Sequence, residues 1–126
     1  MYCIELCTEA YATHYHRGCE ETIALYIEVD TIVQQLGLVI NAGHDLDLNN
    51  LKFFADNVPG LLEVSIGHAL IADTLYYGLE NVIQLYLRQL AAKYYFIGKL
   101  HCSVFQVENP TNNKPILFGF SACNIT

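Results

Sequence analysis

The chain has 126 residues, 53% of them hydrophobic and 15% charged, where an ordinary soluble domain carries about 25% charge. That length and composition exclude a disordered chain and suit one compact domain with a substantial core. Six Lys and Arg against 13 Asp and Glu give a net charge of −7, which excludes a general nucleic-acid binder, because phosphate backbones need basic patches. Small phosphorylated ligands stay open, since N–H groups at a helix N-terminus hold them without any net positive charge.

Residues Tyr2 to Cys7 read as a short apolar strand interrupted by Glu5, a carboxylate that either faces solvent or sits at a functional strand end. Polar turn material is expected from Thr8 to Arg17, punctuated by Gly18. A helix follows from about Glu20 to Leu36, with Leu25, Val29, Ile32, Val33 and Leu36 on one face, acidic residues at its start and Gly37 as its stop. Leu38 to Ala42 is a continuous apolar run, which suits a strand buried on both faces of a parallel sheet, and Gly43-His44-Asp45 ends it. Asn49 or Asn50 can cap a short helix through Leu51, Phe54 and Ala55 that Pro59-Gly60 closes.

Leu61 to Ile66 is the next strand, ended by Gly67-His68. After a short segment to Tyr77, Gly78 opens an amphipathic helix whose face carries Leu79, Val82, Ile83, Tyr86, Leu87 and Leu90. Strand and helix alternate, the grammar of βα units around a parallel sheet. Two of the strands end in Gly-His, and residues just past strand C-termini form the binding sites of α/β folds. From about Lys93 the grammar changes to that of a hairpin: an alternating strand from Leu100 to Glu108, a turn cluster at Asn109 to Asn113, and a return strand from Lys114 to Ser121.

No apolar run reaches the ~18 residues of a membrane span, and Met1-Tyr2-Cys3-Ile4-Glu5 has no signal-like character, so the expected location is the cytoplasm. The cysteines at 3, 7, 19, 102 and 123 are odd in number and form no Cys-x-x-Cys, so reduced thiols are expected, with neither a disulfide framework nor a zinc ribbon. His14-Tyr15-His16 lacks a third ligand at a telling spacing and predicts no metal site. His101 beside Cys102 lacks a triad.

Asn41-Ala42-Gly43-His44 and Ser65-Ile66-Gly67-His68-Ala69-Leu70-Ile71, preceded by Ile4-Glu5-Leu6-Cys7-Thr8-Glu9-Ala10-Tyr11-Ala12, closely resemble the C-terminal half of the pyridoxine 5'-phosphate synthase family, over about residues 1–92. The resemblance implies an α/β fold: the last three βα units of a TIM (β/α)8 barrel, with residues 93–126 as an unassigned C-terminal extension. It implies an enzyme of vitamin B6 biosynthesis that condenses 3-amino-2-oxopropyl phosphate with 1-deoxy-D-xylulose 5-phosphate, releasing phosphate and water, with no metal or organic cofactor. Carried over by motif, His44 matches the proton-donating histidine and Glu5 a carboxylate that stabilises the transition state. Gly67 and His68 match the pair that binds the amino-oxopropyl phosphate, and Asp45 matches a position, Gly or Asp in the family, that contacts the same substrate. Cys7 departs from the His or Tyr expected there.

A whole barrel needs at least ~200 residues, and the family's early motifs (an Asn and His on the first strand, a His-x-Arg segment, a basic carboxylate) are absent from this sequence. Turnover by the chain alone is therefore not expected. The partners expected are phosphorylated small molecules and either further copies of the chain or a separate N-terminal half, with no nucleic acid and no membrane. The alternatives are a non-catalytic phosphate-binding or oligomer-interface fragment and a non-functional remnant. Three βα units also leave an open sheet edge and unpartnered apolar helix faces, which predicts self-association or low solubility of the isolated chain.

Overall fold

In a computed structural model, which describes residues 2–94, 100–108 and 115–124 and side chains as far as Leu90, three parallel strands alternate with helices. Strand β1 (Cys3–Cys7) leads into helix α1 (Glu9–Gln35), β2 (Val39–Gly43) into α2 (Leu51–Asn57), and β3 (Leu61–Ile66) into α3 (His68–Tyr77) and α4 (Leu79–Tyr94). Strands β4 (Leu100–Glu108) and β5 (Pro115–Asn124) follow. The sheet order is β1-β2-β3-β5-β4, parallel through β3 and antiparallel beyond it. Strand–helix alternation around parallel strands is the build of a partial (β/α) barrel.

The expected hairpin strands are present. The return strand begins at Pro115 and runs on to Asn124, and the turn expected at 109–113 lies outside the described residues. An open sheet edge is expected and falls at β1, while on the other side β5 pairs along β3, from Glu63 with Cys123 to Ile66 with Phe120. Among the described residues, β1 pairs with β2 alone.

Period-two alternation sorts the parallel strands into two faces. Ile40, Ala42, Val64 and Ile66 are buried beneath the helices, with Ile4 and Leu6 packed beside them. Cys3, Glu5 and Cys7 alternate to the other face and are exposed. The helices supply the rest of the core: Tyr11, Ile23 and Val33 from α1, Leu51, Phe54 and Ala55 from α2, Leu70 from α3, and Val82, Tyr86 and Leu90 from α4.

Two expectations about α1 are overturned. Of the segment Thr8 to Arg17, Glu9 onward is helical rather than turn, and Gly18, at φ 175 and ψ 73, kinks the helix instead of preceding it. Tyr11 explains the helix start: its ring packs edge-on against Phe54 at 5.0 Å and Tyr15 at 5.5 Å. Helical geometry also turns His14 and His16 to different sides, since residues two apart do not share a helix face. The second correction concerns the stripe. Of its expected members Val33 is buried, but Leu25 and Leu36 stay 66% and 68% exposed and Val29 and Ile32 are exposed too, while Ile23 and Asp30 face the core. The α4 stripe packs as expected except Leu79, which is exposed.

Asp30 is a buried charge with a task. Its Oδ1 accepts the Gly60 N–H at 2.9 Å and its Oδ2 accepts from Gln34 Nε2 at 2.6 Å, which ties the turn before β3 to the end of α1. A Cβ at Gly60 would stand 2.2 Å from Asp30 Oδ1. Gly60→Ala is expected to lower stability by about 1–3 kcal/mol, read as a shifted denaturation midpoint. An unshifted midpoint would mean that the turn moves aside freely.

Tyr86 donates to Asp73 Oδ2 at 2.9 Å. Burial pushes the hydroxyls of Tyr86 and Tyr11 well above the ordinary tyrosine value, and the Asp73 carboxylate adds to the effect at Tyr86. Because the folded values lie above the unfolded one of ~10, this contribution is whole below pH ~10 and is lost as pH climbs through the raised folded values. The denaturation midpoint should therefore hold up to pH ~10 and fall beyond it. A midpoint level throughout the alkaline range would contradict the burial of these hydroxyls.

Candidate active site

Parallel pairing carries the strand ends to one rim. Cys7 stands opposite Gly43, and Gly43 opposite Ser65, so the residues that follow each strand emerge together. His44, Asp45, Gly67 and His68 line a single cleft of about 320 Å³ with Leu46, Ser65, Ile66 and Ala69. These are the four residues singled out after β2 and β3 in the sequence. Glu5 is not in that lining. It lies one strand away, where its Oε1 would be 3.1 Å from a Cβ on Gly43.

His44 and Asp45 adopt positive φ, 80° and 59°, and among the described residues they are the non-glycine positions that do so. Such a conformation costs an L-residue roughly 1–2 kcal/mol, and aspartate tolerates it better than most. The tight turn folds Asp45 back beside its neighbour, with His44 Nδ1 3.2 Å from Asp45 Oδ2 and both side chains about half exposed. On the far wall, Gly67 precedes the first turn of α3, and no side chain caps that helix. Its leading N–H groups are free of intrahelical acceptors and give the cleft a positive dipole end, the usual environment for an anionic group.

Three polar residues that shape this rim carried little sequence signal. Thr8, fully buried, has its hydroxyl within hydrogen-bonding distance of the carbonyls of Gly43 and His44. Asp47 accepts the N–H groups of Asn49 and Asn50 at 2.8 and 3.0 Å and so organises the start of α2. Asn50 occupies the cap position, yet its side chain caps nothing in its own helix. It accepts from the Asp47 N–H at 2.9 Å and donates to the Asp45 carbonyl at 3.1 Å. A threonine ahead of a helix signals a cap, but neither partner could be named without the fold.

Residues 1–92 match the family described as pyridoxal phosphate biosynthesis protein PdxJ. The chain belongs to the PdxJ family. It is 62% identical over 87 residues to the pyridoxine 5'-phosphate synthase of Cytophaga hutchinsonii, a match covering 69% of this chain and 37% of that protein. The Flavobacterium johnsoniae synthase is 55% identical over 87 residues with the same coverages. That of Porphyromonas gingivalis is 54% identical over 88 residues, covering 70% of this chain and 37% of the relative. The chain thus spans little more than a third of these PdxJ relatives. Among the described residues, no helix is long and apolar enough to cross a membrane, and Cys3, Cys7 and Cys19 are free thiols.

Gly43 is where the rim is tightest. An added Cβ would meet Glu5 Oε1 and the Ser65 carbonyl at 3.1 Å and Ser65 Cβ at 3.2 Å. Gly43→Ala should displace the Glu5 carboxylate and lower stability by about 1–3 kcal/mol, measured by chemical denaturation. An unchanged midpoint would show that Glu5 yields without cost.

Proposed function

We propose that this chain provides the C-terminal strands and phosphate-facing end of a pyridoxine 5'-phosphate synthase active site. The reaction would join 3-amino-2-oxopropyl phosphate to 1-deoxy-D-xylulose 5-phosphate, with the remaining groups supplied by the preceding βα units. The observation that carries this reading is the convergence of His44, Asp45, Gly67 and His68 on one cleft at the ends of two adjacent parallel strands.

The proposed roles follow from the chemistry of each group. Condensing an amine with a ketone expels water, so the departing oxygen must be protonated. His44 is the proton donor, an imidazole being suited to transfer near neutral pH. The Asp45 carboxylate beside Nδ1 orients the ring and leaves Nε2 to meet the substrate. Gly67 lets the backbone come close to the amino-oxopropyl phosphate, and His68 with the first N–H groups of α3 holds its charge. Glu5 stabilises the cationic imine that forms when water leaves. Neither a metal nor an organic cofactor has a part in these steps. The partners are the two phosphorylated substrates and the chain segment, or second subunit, that completes the barrel beside β1.

Turnover to pyridoxine 5'-phosphate is the test, with purified chain and both substrates, with and without a separately expressed N-terminal portion of the Cytophaga hutchinsonii relative. Product is expected only when both pieces are present, and His44→Ala should cut it at least ~100-fold. No product in either mixture would overturn the synthase reading and leave a phosphate-binding fragment or a remnant.

A further inference from the structure

The turn that presents His44 is held from outside itself. Its successive carbonyls, those of Gly43, His44 and Asp45, each meet a buried side chain from another part of the chain. The Thr8 hydroxyl, with one proton to donate, lies within hydrogen-bonding distance of both the Gly43 carbonyl and the His44 carbonyl, the latter at 2.5 Å from Oγ1. The Thr8 N–H also donates to the Gly43 carbonyl at 3.2 Å. Asn50 Nδ2 donates to the Asp45 carbonyl at 3.1 Å.

Both side chains are committed. Thr8 is 0% exposed and Asn50 4%. Thr8 stands at the N-terminus of α1 without capping it. Asn50 is itself pinned, since its carbonyl accepts the Tyr11 hydroxyl at 2.7 Å and its Oδ1 accepts the Asp47 N–H at 2.9 Å. Two consecutive non-glycine residues at positive φ persist only where the surroundings over-determine them, and these contacts do so.

We infer that Thr8 and Asn50 are positioning residues, a two-sided clamp that fixes the left-handed turn at His44-Asp45 and so aims the His44 imidazole into the cleft. The inference rests on the proposed role of His44 for its consequence in catalysis, but the clamp can be measured without any turnover.

The test uses Thr8→Val, which keeps the shape and removes the donor, Thr8→Ser, which restores it, and Asn50→Asp, which replaces the donating amide by an acceptor. Backbone dihedral angles from NMR shifts of the full chain should show His44 leaving positive φ in T8V and keeping it in T8S. Where T8V fails to fold, N50D reads the same turn through Asp45. In the two-piece turnover mixture, T8V should lower kcat about 10- to 100-fold with KM nearly unchanged, and T8S should recover most of it. A purely structural role would give equal losses for T8V and T8S, or a loss following the melting temperature. That result overturns the clamp, as does T8V or N50D retaining positive φ at His44 and Asp45. An inactive wild-type mixture sinks the synthase proposal alone, and the dihedral angles then decide the clamp by themselves.

Discussion

Parallel register is the constraint on which everything else in this molecule depends. With Cys7 level with Gly43 and Gly43 level with Ser65, the strands point the same way and finish at the same height. Residues dozens of positions apart in sequence then share one rim. An antiparallel arrangement would send His44 and His68 to opposite ends of the sheet. The irregularity between Ile40 and Asn41 adjusts the pairing low in the strands, so that their upper ends come level. Gly43 completes the arrangement, because the space its missing side chain leaves is bordered by Glu5 and Ser65.

The helices hold that register by burying one face of the sheet, and buried polar groups fix how they sit. Asp30 ties α1 to the turn before β3, Tyr86 ties α4 to α3 through Asp73, and Thr8 ties the start of α1 to the end of β2. A buried polar group left unpaired costs more than its hydrogen bond contributes, so each of these pairs penalises misplacement more than it rewards correct packing. They act as locators on a core whose bulk stabilisation comes from aliphatic and aromatic burial.

Much of this was legible in the sequence, for identifiable reasons. Leu61 to Ile66 is bounded by Pro59-Gly60 and Gly67, and the strand occupies just those residues. Gly37 stops α1 because it takes φ 69. The Gly-His pairs stood out because chemistry-bearing residues followed directly on apolar runs. What failed did so where local polarity competed with tertiary contacts. Thr8 to Arg17 looks like a loop because Thr8, Glu9, His14, His16 and Arg17 are polar, while the contacts that seat the helix from Glu9 onward, such as Tyr11 on Phe54, are tertiary. On α1 two apolar faces compete, and a periodicity argument cannot say which meets the sheet: Ile23 and Val33 do, while Leu25 and Leu36 do not. The clamp residues were illegible for a different reason, since a side-chain-to-backbone bond between Thr8 and His44 has no periodic or compositional trace.

The exposed stripe of α1 and the inward face of β1 belong to the same physical problem. In a (β/α) barrel each helix touches the sheet below and its neighbours on both sides, whereas the α1 flank that carries Leu25 and Ile32 stays exposed among the described residues. The sheet face away from the helices tells the same story in polar terms. Glu5, Asn41 and Glu63 stand in one row across β1, β2 and β3, and Asn41 Oδ1, buried, finds no hydrogen bond among the described residues. An apolar flank and an unsatisfied amide oxygen call for different partners, a helix for the one and a donor from the opposite wall of a closed sheet for the other. The βα units that precede this portion in the PdxJ fold would bring both. Both faces therefore make the same demand of packing: further βα units beside β1 would bring a helix to cover Leu25 and a strand to offer Asn41 a donor.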